Sequence, residues 1–318
     1  MPSEFELIRR HFSPRTTQTL LAGGDDAALL VPAPGHALAV TTDMLVEGTH
    51  FLPGTDPRRL GHKTLAVNLS DLAAMGARPR WAFLALALPR ADDAWLAAFS
   101  RGFLALADAH RVDLAGGDTT RGPLNLCVTV IGEVMVGQAL RRDGATPGDD
   151  VWLSGCTGEA SVGLAALRGE ASLDRVDEVR CRERLEQPQP RVALGLALAG
   201  LATSAIDVSD GLVADLGHIA TRSACGIDVH WARVPQSSAL AGIDAAHRAA
   251  AILGGGDDYE LAFTASPANR DAVRAAAREA GVTVTRIGEA VAGQTGVRVL
   301  DRGGIDITPV GGGFDHFG

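Results

Sequence analysis

Residues 138–150 read QALRRDGATPGDD, and this stretch decides how the chain divides. Gly144, Pro147 and Gly148 punctuate a charged run, and an apolar run, residues 151–154, begins directly after it. Gly and Pro in a polar segment between two periodic regions mark a connection. A chain of 318 residues also exceeds what one hydrophobic core comfortably organises. The sequence therefore predicts two domains, residues 1–137 and residues 138–318.

Upstream of the break, residues 27–31 and 37–43 read as strands around the PAPG turn at 32–35, most simply a hairpin. Residues 58–75 and 92–110 have helix-forming composition, and residues 81–88 and 124–134 read as strands. Downstream, the strand at 151–154 is followed by helices after Gly158, near 176–185 and after Pro190. A short strand at 204–208 leads into a helix over 210–224, and β-rich segments lie near 261–264 and 282–287. Both halves mix the two element types, so the expected fold class is α/β (α+β): an N-terminal mixed sheet with helices and a C-terminal α/β domain.

Hydrophobic residues make up 46% and aromatic ones only 4%, so the core must come from Leu, Val and Ala. A formal charge of −9 argues against a sequence-blind grip on nucleic acid. An acidic protein binds polyphosphate only if cations intervene. Cys127, Cys156, Cys181 and Cys225 match neither a zinc pattern nor a disulfide scaffold, and the charged N-terminus MPSEFELIRRHF lacks a signal-peptide core. The longest apolar stretch, residues 192–202, falls short of the roughly 20 needed to span a bilayer. The expectation is a cytoplasmic protein with no membrane or nucleic-acid partner.

Aspartates beside glycines carry the chemistry: Asp25 and Asp26, Asp43, Asp71, Asp118, Asp207 and Asp210, Asp257 and Asp258. Each alone also suits a turn or a helix N-cap. A hairpin centred between Pro34 and Gly35 would set Asp26 opposite Asp43. Two carboxylates that close ionise together only around a cation, and a hard divalent ion with oxygen ligands is the usual solution. Thr41 and Thr42 add oxygens to that corner. Along residues 58–75, Leu65, Leu69 and Leu72 form an apolar stripe, while Thr64, Asn68 and Asp71 form a polar one. That polar stripe is either a solvated face or the wall of a polar cavity, and its Thr and Asn, in place of Lys and Glu, favour the cavity. In DVSDG (207–211), Ser209 and Asp210 fit a helix N-cap and first turn equally with a metal and phosphate site. Walker, dinucleotide-fold, protein-kinase, zincin and hydrolase signatures are all absent from the sequence.

Eight ordered strings now stand out: GGDDAA (23–28), TTDMLVEGTHF (41–51), KTLAVNLSDLAAMGARP (63–79), LAGGDTTRGP (114–123), RRDGATPGDDVWLSG (141–155), DVSDGLVADL (207–216), GGGDDYEL (254–261) and GFDHF (313–317). Together they resemble the bacterial thiamine-monophosphate kinases, across essentially the whole chain. The related selenophosphate synthetases need a reactive Cys or selenocysteine near the N-terminus, whereas the first cysteine here is Cys127. The related hydrogenase-maturation protein ends in a functional cysteine, and this chain ends GFDHFG.

The resemblance implies ATP as co-substrate, several Mg²⁺ ions, thiamine monophosphate as acceptor, and a homodimer formed through the N-terminal domain. It implies metal ligation by Asp26, Thr41, Thr42, Asp43, Asp71, Asp118, Asp207 and Asp210, and ATP contacts by Gly117, Asp118, Arg142 and Ser209. Among these, Asp43, Asp71, Asp210 and Arg142 would serve the transfer itself. It implies His50 and Phe314 at the thiamine end, with the acidic residue of the GGGDDYEL string. The family commonly carries Glu where Asp257 stands, one methylene longer, and Asp258 is the neighbouring carboxylate able to substitute. Mg²⁺ bridging polyphosphate oxygens suits a site with many Asp and few Lys.

Overall fold

A computed structural model describes residues 4–293, 295–309 and 313, and the chain divides into two compact units. The first comprises residues 1–72 and 77–137, and the second residues 73–76 and 138–318.

The first unit contains α1 (Glu4–His11), β1 (His36–Val46), α2 (Pro57–Ala74), β2 (Arg78–Leu88), α3 (Asp93–His110), β3 (Asp113–Arg121) and β4 (Asn125–Met135). Its four-stranded sheet runs β1-β4-β2-β3, with β2 and β3 parallel and the other pairs antiparallel. The Asp92 side chain accepts the Trp95 N–H at 3.1 Å to open α3, and Arg111 closes it in the left-handed conformation. Helices α2 and α3 meet backbone to backbone. A Cβ on Gly61 would lie 2.1 Å from the Phe99 carbonyl oxygen, and one on Gly102 1.8 Å from that of Arg58, so only glycine fits either position. Trp81, Phe99, Phe103, Leu65, Leu69 and Leu72 fill the core beneath.

The hairpin expected over residues 27–43 does not form. β1 pairs with β4, Asp43 opposite Val128, and residues 27–31 contribute only a single bridge between Leu21 and Leu29. Pro32 and Pro34 withhold two of the N–H donors that a ladder needs. The preceding residues instead close a loop, the Leu29 N–H donating to the Leu21 carbonyl at 2.8 Å. Asp26 sits exposed in that loop, not on a strand facing Asp43. Strand β1 therefore lies at the sheet edge and turns Leu38, Val40 and Met44 to the exterior.

The second unit contains β5 (Asp150–Ser154), α4 (Glu159–Leu167), α5 (Arg175–Glu186), α6 (Val192–Leu198), β6 (Ala202–Asp207), α7 (Leu212–Ser223), β7 (Gly226–His230), α8 (Ala245–Gly254), β8 (Leu261–Ala265), α9 (Arg270–Glu279), β9 (Val284–Val291) and β10 (Gly296–Leu300). Six strands order β10-β7-β9-β5-β8-β6, parallel only between β7 and β10. Both sheets are mixed and helix-covered, as the α+β expectation required. Val151, Leu153, Ile206, Leu216, Ile219 and Ile227 anchor the second core. Several buried acids are held by arginines, among them Asp150 between Arg270 and Arg286, and Glu260 between Arg184 and Arg191.

Candidate active site

In the first unit the acidic centre is Asp43 with Asp71. Strand alternation points Thr41, Asp43 and Leu45 toward α2, which presents Asn68 and Asp71 from its polar stripe. The Thr41 hydroxyl donates to the Asp71 carboxylate, and the Asp43 N–H donates to Asn68 Oδ1 at 3.2 Å. Asn68 is fully buried and Thr64 nearly so, which rules out a solvated face. Thr64, the third residue of the stripe, turns its hydroxyl back onto the Leu60 carbonyl of its own helix. Burial, then the neighbouring Asp71 charge, pushes the Asp43 carboxyl up to about 7. Thr42 lies on the opposite face of the sheet, its hydroxyl 2.8 Å from that of Thr129, so of the two threonines only Thr41 brings a side-chain oxygen to this corner.

Gly117 and Asp118 lie on β3 beside Leu84 and Ala85 of β2. Gly117 adopts φ +152°, and a Cβ there would stand 1.9 Å from the Leu84 carbonyl oxygen; Asp118 is exposed. His50 Nδ1 accepts the Val46 N–H at 3.0 Å, which leaves the ring proton of the neutral imidazole on Nε2. The Lys63 ammonium lies 3.4 Å from the His50 carbonyl oxygen.

In the second unit, β6 ends at Asp207, and residues 208–211 form a turn before α7. This turn is laced to the GGGDDYEL string: the Asp257 N–H donates to the Ser209 carbonyl and the Tyr259 N–H to that of Val208, both at 2.8 Å. A Cβ on Gly256 would meet the Ser209 oxygen at 2.3 Å, which fixes glycine there. Asp257 holds φ +67° and accepts the Tyr259 hydroxyl at 3.0 Å. Asp258 is spent elsewhere. Its carboxylate is buried and accepts the Gly158 N–H at 2.7 Å at the start of α4, the work of a helix cap. Arg142 is exposed, and its carbonyl accepts the Ser223 hydroxyl at 3.0 Å. Phe314 lies outside the described residues.

Asp215 was not among the expected site residues. Its Oδ2 accepts the N–H groups of Ser209, Asp210 and Gly211 at 3.0, 3.0 and 3.1 Å, and so gathers the turn from within α7. Burial pushes its carboxyl up to about 7 against the pull of those donors. The signal was present in the sequence: Leu212, Asp215, Leu216 and Ile219 share one helix face, so an acid interrupts an apolar stripe.

Among the described residues no group of three or more His, Cys, Asp or Glu side chains converges as a metal centre. Mg²⁺ does not require one, since it is held through one or two carboxylates plus phosphate oxygens and water. The hard oxygens of Asp43, Asp71 and Thr41, with one carboxyl already strained by burial beside the other, fit that demand.

The model of the AIR synthase related protein N-terminal domain matches residues 24–134, and that of the C-terminal domain matches residues 146–301. The two in tandem make this an AIR synthase related protein. Thiamine-monophosphate kinase of Escherichia coli strain K12 is 44% identical over 319 residues, which cover 99% of this chain and 98% of that protein. The crystal structure of thiamine-monophosphate kinase from Stenotrophomonas maltophilia K279a superposes with a TM-score of 0.84 at 50% identity, covering 89% of this chain and 91% of that one. The structure of AaThiL complexed with AMPPCP and TMP superposes at 0.78 with 30% identity, covering 90% and 89%. The chain belongs to the thiamine-monophosphate kinase family.

Proposed function

We propose that this chain phosphorylates thiamine monophosphate to thiamine diphosphate with ATP, by direct in-line transfer of the γ-phosphoryl group. The observation that carries the reading is the Asp43–Asp71 pair, two carboxylates set side by side with a hydroxyl in a protein similar along its length to one crystallised with an ATP analogue and TMP. Asp43, Asp71 and the Thr41 hydroxyl would hold Mg²⁺, and the family resemblance supports Asp26, Asp118, Asp207 and Asp210 as further metal ligands. Bound Mg²⁺ supplies charge neutralisation on the polyphosphate. Gly117, Asp118 and Ser209 would meet ATP, and Arg142 would screen the repulsion between the two phosphate groups. A phosphate monoester has a second pKa near ~6, so the acceptor is largely a dianion at pH 7 and needs no strong base. The residues named act by position and charge.

The second unit holds a cavity of about 800 Å³, whose lining includes Ser161, Val213, Ile243, His247 and Leu253. We assign it to the heteroaromatic end of the acceptor, since Gly254 and Gly255 of its lining open the string that carries Asp257; His50 and Phe314 are proposed as acceptor contacts on the family resemblance alone. Asp258 caps α4, so Asp257, which accepts the Tyr259 hydroxyl, is the acid of the string proposed for this task. Leu38, Val40 and Met44, exposed on edge strand β1 to 46%, 61% and 53%, support a homodimer that covers this face. No helix among the described residues is long and apolar enough to cross a membrane, and all four cysteines are free, in keeping with a cytoplasmic setting. The test is incubation with ATP, Mg²⁺ and thiamine monophosphate, followed by chromatography of the thiamine phosphates, with thiamine as control acceptor and Asp43→Asn as control protein. Diphosphate formed from the monophosphate and lost in the variant is the expected result. ATP binding without diphosphate would refute the kinase reading.

A further inference from the structure

We propose that Asp113, outside the acidic motifs, is a positioning residue that holds the loop of Asp26 against the strand of Gly117 and Asp118 before any cation or nucleotide arrives. The inference rests on the proposed site and adds a residue that site does not contain. Asp113 opens β3 and is only 7% exposed. Its carboxylate collects a run of consecutive donors. The Thr17 N–H lies 3.0 Å from both oxygens, and the Gln18, Thr19 N–H groups lie 2.6 and 2.9 Å from Oδ2. The Thr19 hydroxyl adds a contact at 2.8 Å and that of Thr17 one at 3.3 Å. Burial raises this carboxyl, but the donors outweigh it and hold the group below the usual carboxylate range.

The consequence lies on either side of the clamp. Directly after Thr19, Leu20 and Leu21 engage Leu29 and close the loop that carries Gly23, Gly24, Asp25 and Asp26. Gly23 then packs on β3, where a Cβ would touch Ala115 and Gly116 at 3.9 and 4.0 Å, one residue before Gly117. One carboxylate thus ties a segment about 95 residues away in sequence to the strand beside which its acidic loop must stand. A loop fixed beforehand spares the ordering entropy that ligand binding would otherwise supply.

The experiment uses the full chain and three variants, Asp113→Ala, Asp113→Asn and Thr19→Val, with calorimetric titration of AMPPCP in the presence of Mg²⁺ and hydrogen exchange of the Thr17, Gln18 and Thr19 amides. Asp113→Ala should weaken AMPPCP affinity at least tenfold and speed exchange at those amides at least a hundredfold, with KM for thiamine monophosphate changed less than twofold. Asp113→Asn keeps one acceptor oxygen and should fall between, which guards against a misfolded alanine variant; Thr19→Val, which loses only the hydroxyl contact, should stay within about threefold. Unchanged AMPPCP affinity with deprotected amides would overturn the proposal, leaving Asp113 a fold residue only. Weakened affinity with the amides still protected would also overturn it. If the parent chain does not bind AMPPCP with Mg²⁺ at all, the kinase reading fails and this role falls with it.

Discussion

Replacing Asp215 with Ala removes the acceptor for three backbone donors at once. Gly211 is buried and its N–H would go unsatisfied, at a cost of about 1–3 kcal/mol. Ser209 and Asp210 are half-buried, so water reaches their N–H groups and each costs about 0.5–1 kcal/mol. Relief of a buried carboxyl already pushed up to about 7 offsets part of this. The net expectation is a loss of roughly 2–4 kcal/mol, or about 5–10 °C in melting temperature for a unit of this size. Ser209 and Asp210 ride on the released turn. A displacement of about 1 Å at a positioning group costs on the order of a hundredfold in rate, so kcat/KM should fall at least that far. Asp215→Asn retains an oxygen facing the same donors and should recover most of the stability. The assay pairs scanning calorimetry with steady-state kinetics. An alanine variant that melts within about 2 °C of the parent and turns over normally would refute the claim that this carboxylate holds the turn.

Four further outcomes are expected. Because folding lifts the Asp43 carboxyl from 3.8 to about 7, the folded chain keeps a proton that the unfolded chain releases, and stability from this group falls as pH rises across that window. The fall from this group is roughly 4 kcal/mol at most, at about 1.4 kcal/mol per pH unit, and Asp43→Asn should make the pH dependence shallower in metal-free urea titrations between pH 5 and 8, the share of Asp215 remaining, while also abolishing diphosphate formation. Gly256→Ala forces the Ser209 carbonyl to retreat and should lower kcat/KM at least tenfold with a circular dichroism spectrum close to the parent's. Gly61→Ala drives a methyl into the Phe99 carbonyl and should cost about 3 kcal/mol or more, read as a lowered urea midpoint. Val40→Asp on the exposed face of β1 should break the proposed homodimer, read as a sedimentation coefficient that falls to the monomer value, and an unchanged coefficient would refute the proposed interface.

Much of the fold was legible because the long helices and the inner strands carry strong period signals. The apolar stripe of Leu65, Leu69 and Leu72 marks α2 to within a residue or so at either end. The failed hairpin shows where local reading stops. Residues 27–31 have strand-like composition, but whether they pair depends on N–H donors missing at Pro32 and Pro34 and on a distant partner, β4, that competes for the next strand. Strand β3 was hidden because Gly116 and Gly117 look like loop residues, and only close packing under Leu84 makes them a strand. In the site, Asp71 was recognisable from helix period, whereas Asp43 was singled out through a hairpin that does not form and meets Asp71 from a strand paired with β4 instead. Asp113 was not recognisable, since its partners lie about 95 residues away and no spacing rule connects them.

The string GGGDDYEL divides its labour among unlike tasks. Asp257 accepts the Tyr259 hydroxyl and donates its N–H to Ser209, Asp258 caps α4, Gly256 makes room for Ser209, and Glu260 sits fully buried between two arginines. Most of the string therefore answers to the demands of folding. A descendant that had lost all turnover would still have to keep Gly256, Asp258 and Glu260 to keep this unit folded. Presence of the string therefore diagnoses an intact scaffold more than a working site.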